Sequence, residues 1–179
     1  MLFRSELPKG DIKQRFPQVD RNKDGSLTEA EYEYFRSLFE QGQNSIVAIK
    51  PGAKGEATES HLLWKQRKLV PFCSSPVAVG DFIFTIKDGG IFACIDLKNG
   101  KHIKQGRASG NDDYYSSPVA GDGKVFLIDE EGRLTVLSAD PECRTLHTAD
   151  FGEKAFATPA IVDNRLYLRT NGHLYCFGE

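Results

Sequence analysis

Ser74-Ser-Pro-Val-Ala-Val-Gly-Asp-Phe-Ile-Phe84 recurs as Ser116-Ser-Pro-Val-Ala-Gly-Asp-Gly-Lys-Val-Phe126, and again as Ala157-Thr-Pro-Ala-Ile-Val-Asp-Asn-Arg-Leu-Tyr167. Pro76, Pro118 and Pro159 set the register, 42 and 41 residues apart. Each unit reads as strand, turn, strand, Gly turn, strand. The third strands are Gly90-Ile-Phe-Ala-Cys-Ile-Asp96, Gly132-Arg-Leu-Thr-Val-Leu-Ser138 and Gly172-His-Leu-Tyr-Cys-Phe177. A fourth run lies near Thr145-Leu-His-Thr-Ala149. Four strands in about 40 to 45 residues is the period of a propeller blade, whereas a sandwich spaces its strands irregularly.

Upstream of the repeats, Ser45 to Ile49 reads as a third strand and Leu62 to Lys68 as a fourth. The last unit stops after three strands at Glu179. The repeat region, 44–179, therefore holds about three blades, with unit starts near 74, 116 and 157. Closed propellers use about four to eight blades, so the chain reads as the C-terminal part of a larger ring. Open stacks leave unpaired edges, which the missing blades or self-association would cover.

The run Ala93-Cys-Ile-Asp-Leu-Lys-Asn-Gly100-Lys101, and Ala48-Ile-Lys-Pro-Gly52 upstream of Leu62-Leu-Trp64, resemble the strand-end turns and outer strand of the PQQ-like (quinoprotein-type) propeller repeat. The similarity covers most of residues 44–179 and is close to the outer-membrane assembly propeller lipoprotein group. It implies a mainly β fold and an extracytoplasmic full-length protein, periplasmic or secreted. The repeats after Trp64 lack the equivalent tryptophan.

Residues 11–43 have a different texture. Asp11 to Phe16 reads as a helical start with Asp11 as N-cap, which Pro17 shortens or kinks. Tyr32, Phe35, Leu38 and Phe39 make an apolar stripe on a second helix. Between them, Asp20-Arg-Asn-Lys-Asp-Gly-Ser-Leu-Thr-Glu-Ala-Glu31 matches the twelve-residue EF-hand loop. Ca2+ is a hard cation that takes six to eight oxygens. Asp20, Asn22 and Asp24 offer theirs from alternate positions, and Gly25 allows the sharp turn. Ser26 supplies its carbonyl, Thr28 binds directly or through water, and Glu31 closes the shell with both oxygens. Leu27 fits the short β-contact such loops make with a partner. Residues 1–10 read as a linker or blade remnant, so the hand looks inserted within a blade. With no second loop, calcium is expected to hold the insertion in shape rather than to switch it.

Loops entering the first strands cluster at one mouth of a propeller. Asp112, Asp113, Tyr114 and Tyr115 there offer carboxylates and aromatic faces to a sugar, peptide or cation; packing of the tyrosines between blades is the competing reading. Arg169, Asn171 and His173 are expected away from that mouth, bonding blade to blade rather than forming a catalytic set. The net charge of -2 and the lack of a basic stripe give no footprint for nucleic acid. No apolar run reaches the roughly 20 residues of a membrane helix.

The four cysteines form no C-x-x-C pair, and Cys94 and Cys176 read as small buried hydrophobes. No signal segment opens the sequence, so the chain is expected to be either cytoplasmic or a piece of a longer protein whose address lies upstream, and the repeats favour the piece. The resemblance and the loop together suggest a non-catalytic binding or scaffolding propeller carrying one calcium, with a protein or carbohydrate partner. The alternative is part of a PQQ-dependent quinoprotein dehydrogenase. Those enzymes use an adjacent Cys-Cys pair and an aromatic floor, and neither occurs in this chain.

Overall fold

In the computed structural model, residues 2–3, 16–41, 44–52, 54–55 and 59–178 are described. They fall into two compact units, Met1–Gln43 and Asn44–Glu179.

The first unit contains β1 (Leu2–Phe3), α1 (Phe16–Val19), β2 (Ser26–Leu27) and α2 (Glu29–Gln41). Phe16, Val19 and Leu27 are buried together, with Phe35 packed on them. Pro17 sits in the first described turn of α1, where a missing amide costs least. Tyr32 departs from the expected stripe: it is exposed, and Phe35 carries the contact. The side chains of Leu38 and Phe39, and the Asp11 cap, lie outside the described residues. β1 pairs antiparallel with β2, Leu2 opposite Leu27. The short β-contact expected at Leu27 is thus filled from within the same chain.

The second unit is four antiparallel sheets in chain order. The first pairs β3 (Ile46–Ile49) with β4 (Leu62–Gln66). The second runs β5 (Val77–Val79), β6 (Phe82–Lys87), β7 (Ile91–Asp96) and β8 (His102–Arg107). The third runs β9 (Val119–Gly121), β10 (Lys124–Ile128), β11 (Arg133–Ser138) and β12 (Thr145–Asp150). The fourth holds β13 (Ala160–Val162), β14 (Arg165–Arg169) and β15 (Leu174–Phe177). Every sheet follows simple meander order, as consecutive hairpins dictate.

Pro76, Pro118 and Pro159 each stand just before the first strand, where a residue without an amide removes no ladder bond. In the outer strand pairs the register steps at one repeated place: Ala48/Ile49, Cys94/Ile95 and Val136/Leu137. A bulge there adds twist to each outer edge.

Sheet stacking follows from the two-residue strand period. In the second sheet, Phe84, Ile86, Phe92 and Cys94 face one way and pack with Val125, Leu127, Leu137 and Cys143 of the third. Their neighbours Ile83, Ala93 and Ile95 face the other way, onto Trp64 and Ala48 of the first. The third sheet repeats the pattern, its other face (Ile128, Leu134, Val136) packing on Leu168 of the fourth. Inner strands buried on both faces read as continuous apolar runs. Each fully buried Leu or Ile removes enough apolar surface from water to stabilise the stack by about 1.5–3 kcal/mol.

Cys176, expected to be buried, is exposed. It lies on β15, the edge strand of the three-stranded sheet, so its neighbours pack it from fewer sides.

Candidate functional site

The loop from Asp20 to Glu31 is organised by its own side chains. Asp20 is buried and accepts the amides of Asp24 (3.2 Å) and Gly25 (2.9 Å). Gly25 has φ +83°, a conformation glycine adopts without steric cost. The Asn22 carbonyl accepts the Asp24 amide at 3.1 Å, and its amide group donates to Asp24 at 2.8 Å. Asp24 in turn accepts both the amide (2.8 Å) and the hydroxyl (2.6 Å) of Ser26. These are successive turns in which a short polar side chain ties down the backbone two residues on.

Glu31 spans the loop. One carboxylate oxygen accepts the Arg21 amide at 3.1 Å and the Asn22 amide at 3.4 Å. The other accepts the Thr28 amide at 3.0 Å and hydroxyl at 2.7 Å. Thr28 returns a bond by accepting the Glu31 amide at 3.3 Å, a capping box that starts α2. The Arg21 guanidinium lies 4.2 Å from the centre of the Tyr34 ring, fastening the loop to α2. Hydrogen bonds lower both acids. The Ser26 hydroxyl and amide hold the Asp24 carboxyl below its usual range, with Asn22 adding. The Thr28 amide and hydroxyl hold Glu31 low, helped by the amides of Asn22 and Arg21.

Asp20, Asn22, Asp24, Ser26, Thr28 and Glu31 therefore share one loop whose side-chain donors are all oxygen, the chemistry a hard cation selects. Among the described residues, no three His, Cys, Asp or Glu side chains converge as a metal-holding group. In this loop the carboxylates are turned onto backbone amides and hydroxyls.

The mouth residues divide sharply. Tyr114 is 1% exposed and belongs to the core between the second and third sheets. Burial, with the Asp129 charge adding, pushes its phenol far up, and its hydroxyl meets no partner among the described residues. Tyr115, one residue on, is exposed and tilts against Phe156 with ring centres 5.7 Å apart. Asp113 and Glu130 raise its phenol. Asp112 pairs with Arg133, whose Nε also donates to the buried Asp129 at 2.9 Å. The backbone carbonyls of Asp112 and Asp113 accept the amides of Gly89 and Glu130, in the hairpin turns of the second and third sheets. Asp112 and Tyr114 are thus engaged between blades, while Tyr115 presents a free face.

His173 lies at the same mouth, not away from it. The entering loop of the fourth sheet brings Glu153 to it, and the carboxylate meets His173 Nδ1 at 2.6 Å, the Thr170 hydroxyl at 2.6 Å and the Gly172 amide at 3.0 Å. The Asn171 amide donates to the Lys154 carbonyl. The Thr170 hydroxyl and the Gly172 amide, then His173, hold the Glu153 carboxyl low. Sequence reasoning missed Glu153, Asp129 and Arg133. The spacing of Asp129 and Arg133 around a hairpin turn was the one available signal for the latter pair.

No family model matches the sequence, and no curated protein matches it. Solved structures do. The chain is similar to BamB from Moraxella catarrhalis, with 20% identity and a TM-score of 0.56, covering 76% of this chain and 40% of that one. It is also similar to the quinohemoprotein alcohol dehydrogenase ADHIIG from Pseudomonas putida HK5, with 14% identity and a TM-score of 0.52, covering 59% of this chain and 19% of that one. The fold is that of the PQQ-like β-propeller proteins, and the chain spans less than half the length of these neighbours.

Proposed function

We propose that this chain is the calcium-carrying part of a non-catalytic PQQ-like propeller that serves as a binding or scaffolding module. The observation that carries the reading is Glu31, whose carboxylate bridges the start of the loop at Arg21 and its end at Thr28. Ca2+ would be held by the side chains of Asp20, Asn22, Asp24, Thr28 and Glu31 and by the carbonyl of Ser26. The ion fixes the loop and the start of α2; it does not open a groove. Pairing of β1 with β2 supports that structural role, because the loop's own strand already has a partner.

The module surface is the mouth, where Tyr115 and Phe156 are exposed beside Asp113 and Glu130. Aromatic faces next to carboxylates suit a protein segment or a carbohydrate. The full-length protein acts outside the cytoplasm as a larger ring, consistent with the share of the neighbours' length covered here. Among the described residues no helix is long and apolar enough to cross a membrane.

Calcium titration calorimetry on the chain and on an Asp20→Ala, Glu31→Ala double variant tests the ion. Saturable binding lost in the variant supports the reading, and equal binding by both overturns it. A second reading, part of a quinoprotein dehydrogenase, is favoured by the fold shared with the alcohol dehydrogenase. Turnover of an alcohol with added PQQ and a dye acceptor would establish that reading in place of the first.

A further inference from the structure

The boundary between the first and second sheets has a staple. Trp64 lies over Gly100, in the turn between β7 and β8, and its Nε1 donates to the Leu97 carbonyl at 2.8 Å. Gln66 adds a bond to the Gly100 carbonyl at 3.0 Å. The register pairs Trp64 with Ala48, as it pairs Lys104 with Cys94 in the next sheet. Lys104 therefore occupies the tryptophan's position at the boundary between the second and third sheets. An indole is missing there.

Two cysteines stand at that boundary instead. Cys94 is fully buried on β7, on the face that packs against the third sheet. Cys143 comes from the opposite side, in the turn between β11 and β12, and is 4% exposed. Both belong to one packed cluster. Cys143 has φ +47° and corresponds to Gly100 in the preceding sheet. Its amide and thiol both donate to the Asp140 carbonyl, at 3.1 and 3.3 Å, which holds the side chain in place. Hydrogen bonding with Cys143 lowers the Cys94 thiol, and the same neighbour together with burial pushes the Cys143 thiol up.

We infer that Cys94 and Cys143 are a disulfide site that covalently staples the second sheet to the third, where the tryptophan staple of the previous boundary is absent. The chemistry balances with a glutathione-type disulfide as oxidant. A Cys94 thiolate attacks that disulfide, forming a mixed disulfide and releasing one glutathione thiolate. The Cys143 thiolate then attacks the Cys94 sulfur, forming the protein S–S bond and expelling the second glutathione. The protein loses two electrons and two protons; the oxidant becomes two thiols. Because both sulfurs are buried, the exchange takes place during folding or through local opening.

The inference concerns the core and is independent of the calcium and partner readings. The test is to refold the full chain in oxidised glutathione, block remaining thiols after denaturation, and map the linked peptides by mass. The expected result is a Cys94–Cys143 peptide, lighter by two hydrogens than the reduced pair. Finding both residues alkylated, or each carrying glutathione, overturns the inference. A Cys73→Ser, Cys176→Ser variant retains the pair while removing the two exposed thiols. Its oxidised form is expected to melt about 10 °C above its reduced form, from constraint of the long loop between the cysteines in the unfolded chain. An unchanged midpoint on a confirmed crosslink overturns the stapling role.

Discussion

The amide of Ser75 donates to the hydroxyl of Ser117 at 2.9 Å, across the boundary between the second and third sheets. The amide of Ser117 does the same to Thr158 at 3.0 Å, one boundary further on. All three residues immediately precede the proline that marks a repeat. The residue before each pair has another job: Ser74 and Ser116 donate to the carbonyls of Ile86 and Ile128, at 2.8 and 2.6 Å, within their own sheets. The first hydroxyl of the Ser-Ser-Pro signature thus bonds within its own sheet, and the second accepts an amide from the preceding sheet.

These two bonds differ in exposure, and the difference sets an order of effects. Ser116→Ala leaves a buried carbonyl short of a donor and should cost about 1–2 kcal/mol. Ser117→Ala frees an amide that water reaches, and should cost about 0.5–1 kcal/mol. Thermal unfolding followed by the fluorescence of Trp64, the single tryptophan, should give midpoints lowered by roughly 5 °C and 2 °C. The reverse order would contradict the assignment.

At the boundary of the first two sheets, Gly100 is held at φ +71° beneath the Trp64 ring. A Cβ on Gly100 would lie 2.6 Å from ring atoms, so Gly100→Ala must displace the indole as well as strain the turn. It should cost more than Trp64→Phe, which keeps an aromatic ring and loses mainly the bond to Leu97, about 1 kcal/mol. Chemical denaturation by circular dichroism of both variants checks the ranking, and a neutral Gly100→Ala would refute the stacking.

Much of this architecture was legible because prolines punctuate it. The repeat phase, the two-stranded first sheet and the three-stranded last one were all readable from Pro76, Pro118, Pro159 and the Gly turns. The faces of individual residues were not. Tyr114 and Tyr115 are adjacent and chemically alike, yet one is core and the other surface, because a single step along an extended chain reverses the side chain. His173 was misplaced for a similar reason: loops from successive sheets converge on one mouth, so Glu153 reaches a residue twenty positions away. The loop from Asp20 to Glu31 is the opposite case: its hydrogen bonds join residues at most ten apart, so spacing alone indicates which side chains share it.

The two tyrosines also make a sharp test. The Tyr114 hydroxyl has no partner among the described residues, so removing it should relieve a desolvation cost rather than create one. Tyr114→Phe is expected to be neutral or stabilising by up to about 1 kcal/mol, whereas Tyr114→Ala should cost about 3–5 kcal/mol through the cavity left. Urea unfolding distinguishes them, and a Phe variant destabilised beyond 1 kcal/mol would imply a bond that the hydroxyl makes.

The calcium proposal carries its own pH signature. Asp24 and Glu31 are both held below their ordinary ranges by hydrogen bonds within the loop. A lowered folded-state pKa means that the stabilisation is complete above the unfolded values, about 3.9 for Asp and 4.3 for Glu. It is lost as pH falls through the lower folded values. Calcium needs the same deprotonated oxygens, so protons compete with it in the same window. Affinity by calorimetry should stay level between about pH 7 and pH 5.5 and collapse below about pH 4. Glu31→Gln, which removes the charge while keeping the shape, should weaken binding roughly 100-fold at neutral pH. If affinity instead fell between pH 7 and 6, where neither carboxylate titrates, a histidine would be a ligand and the Asp20 to Glu31 assignment would fail.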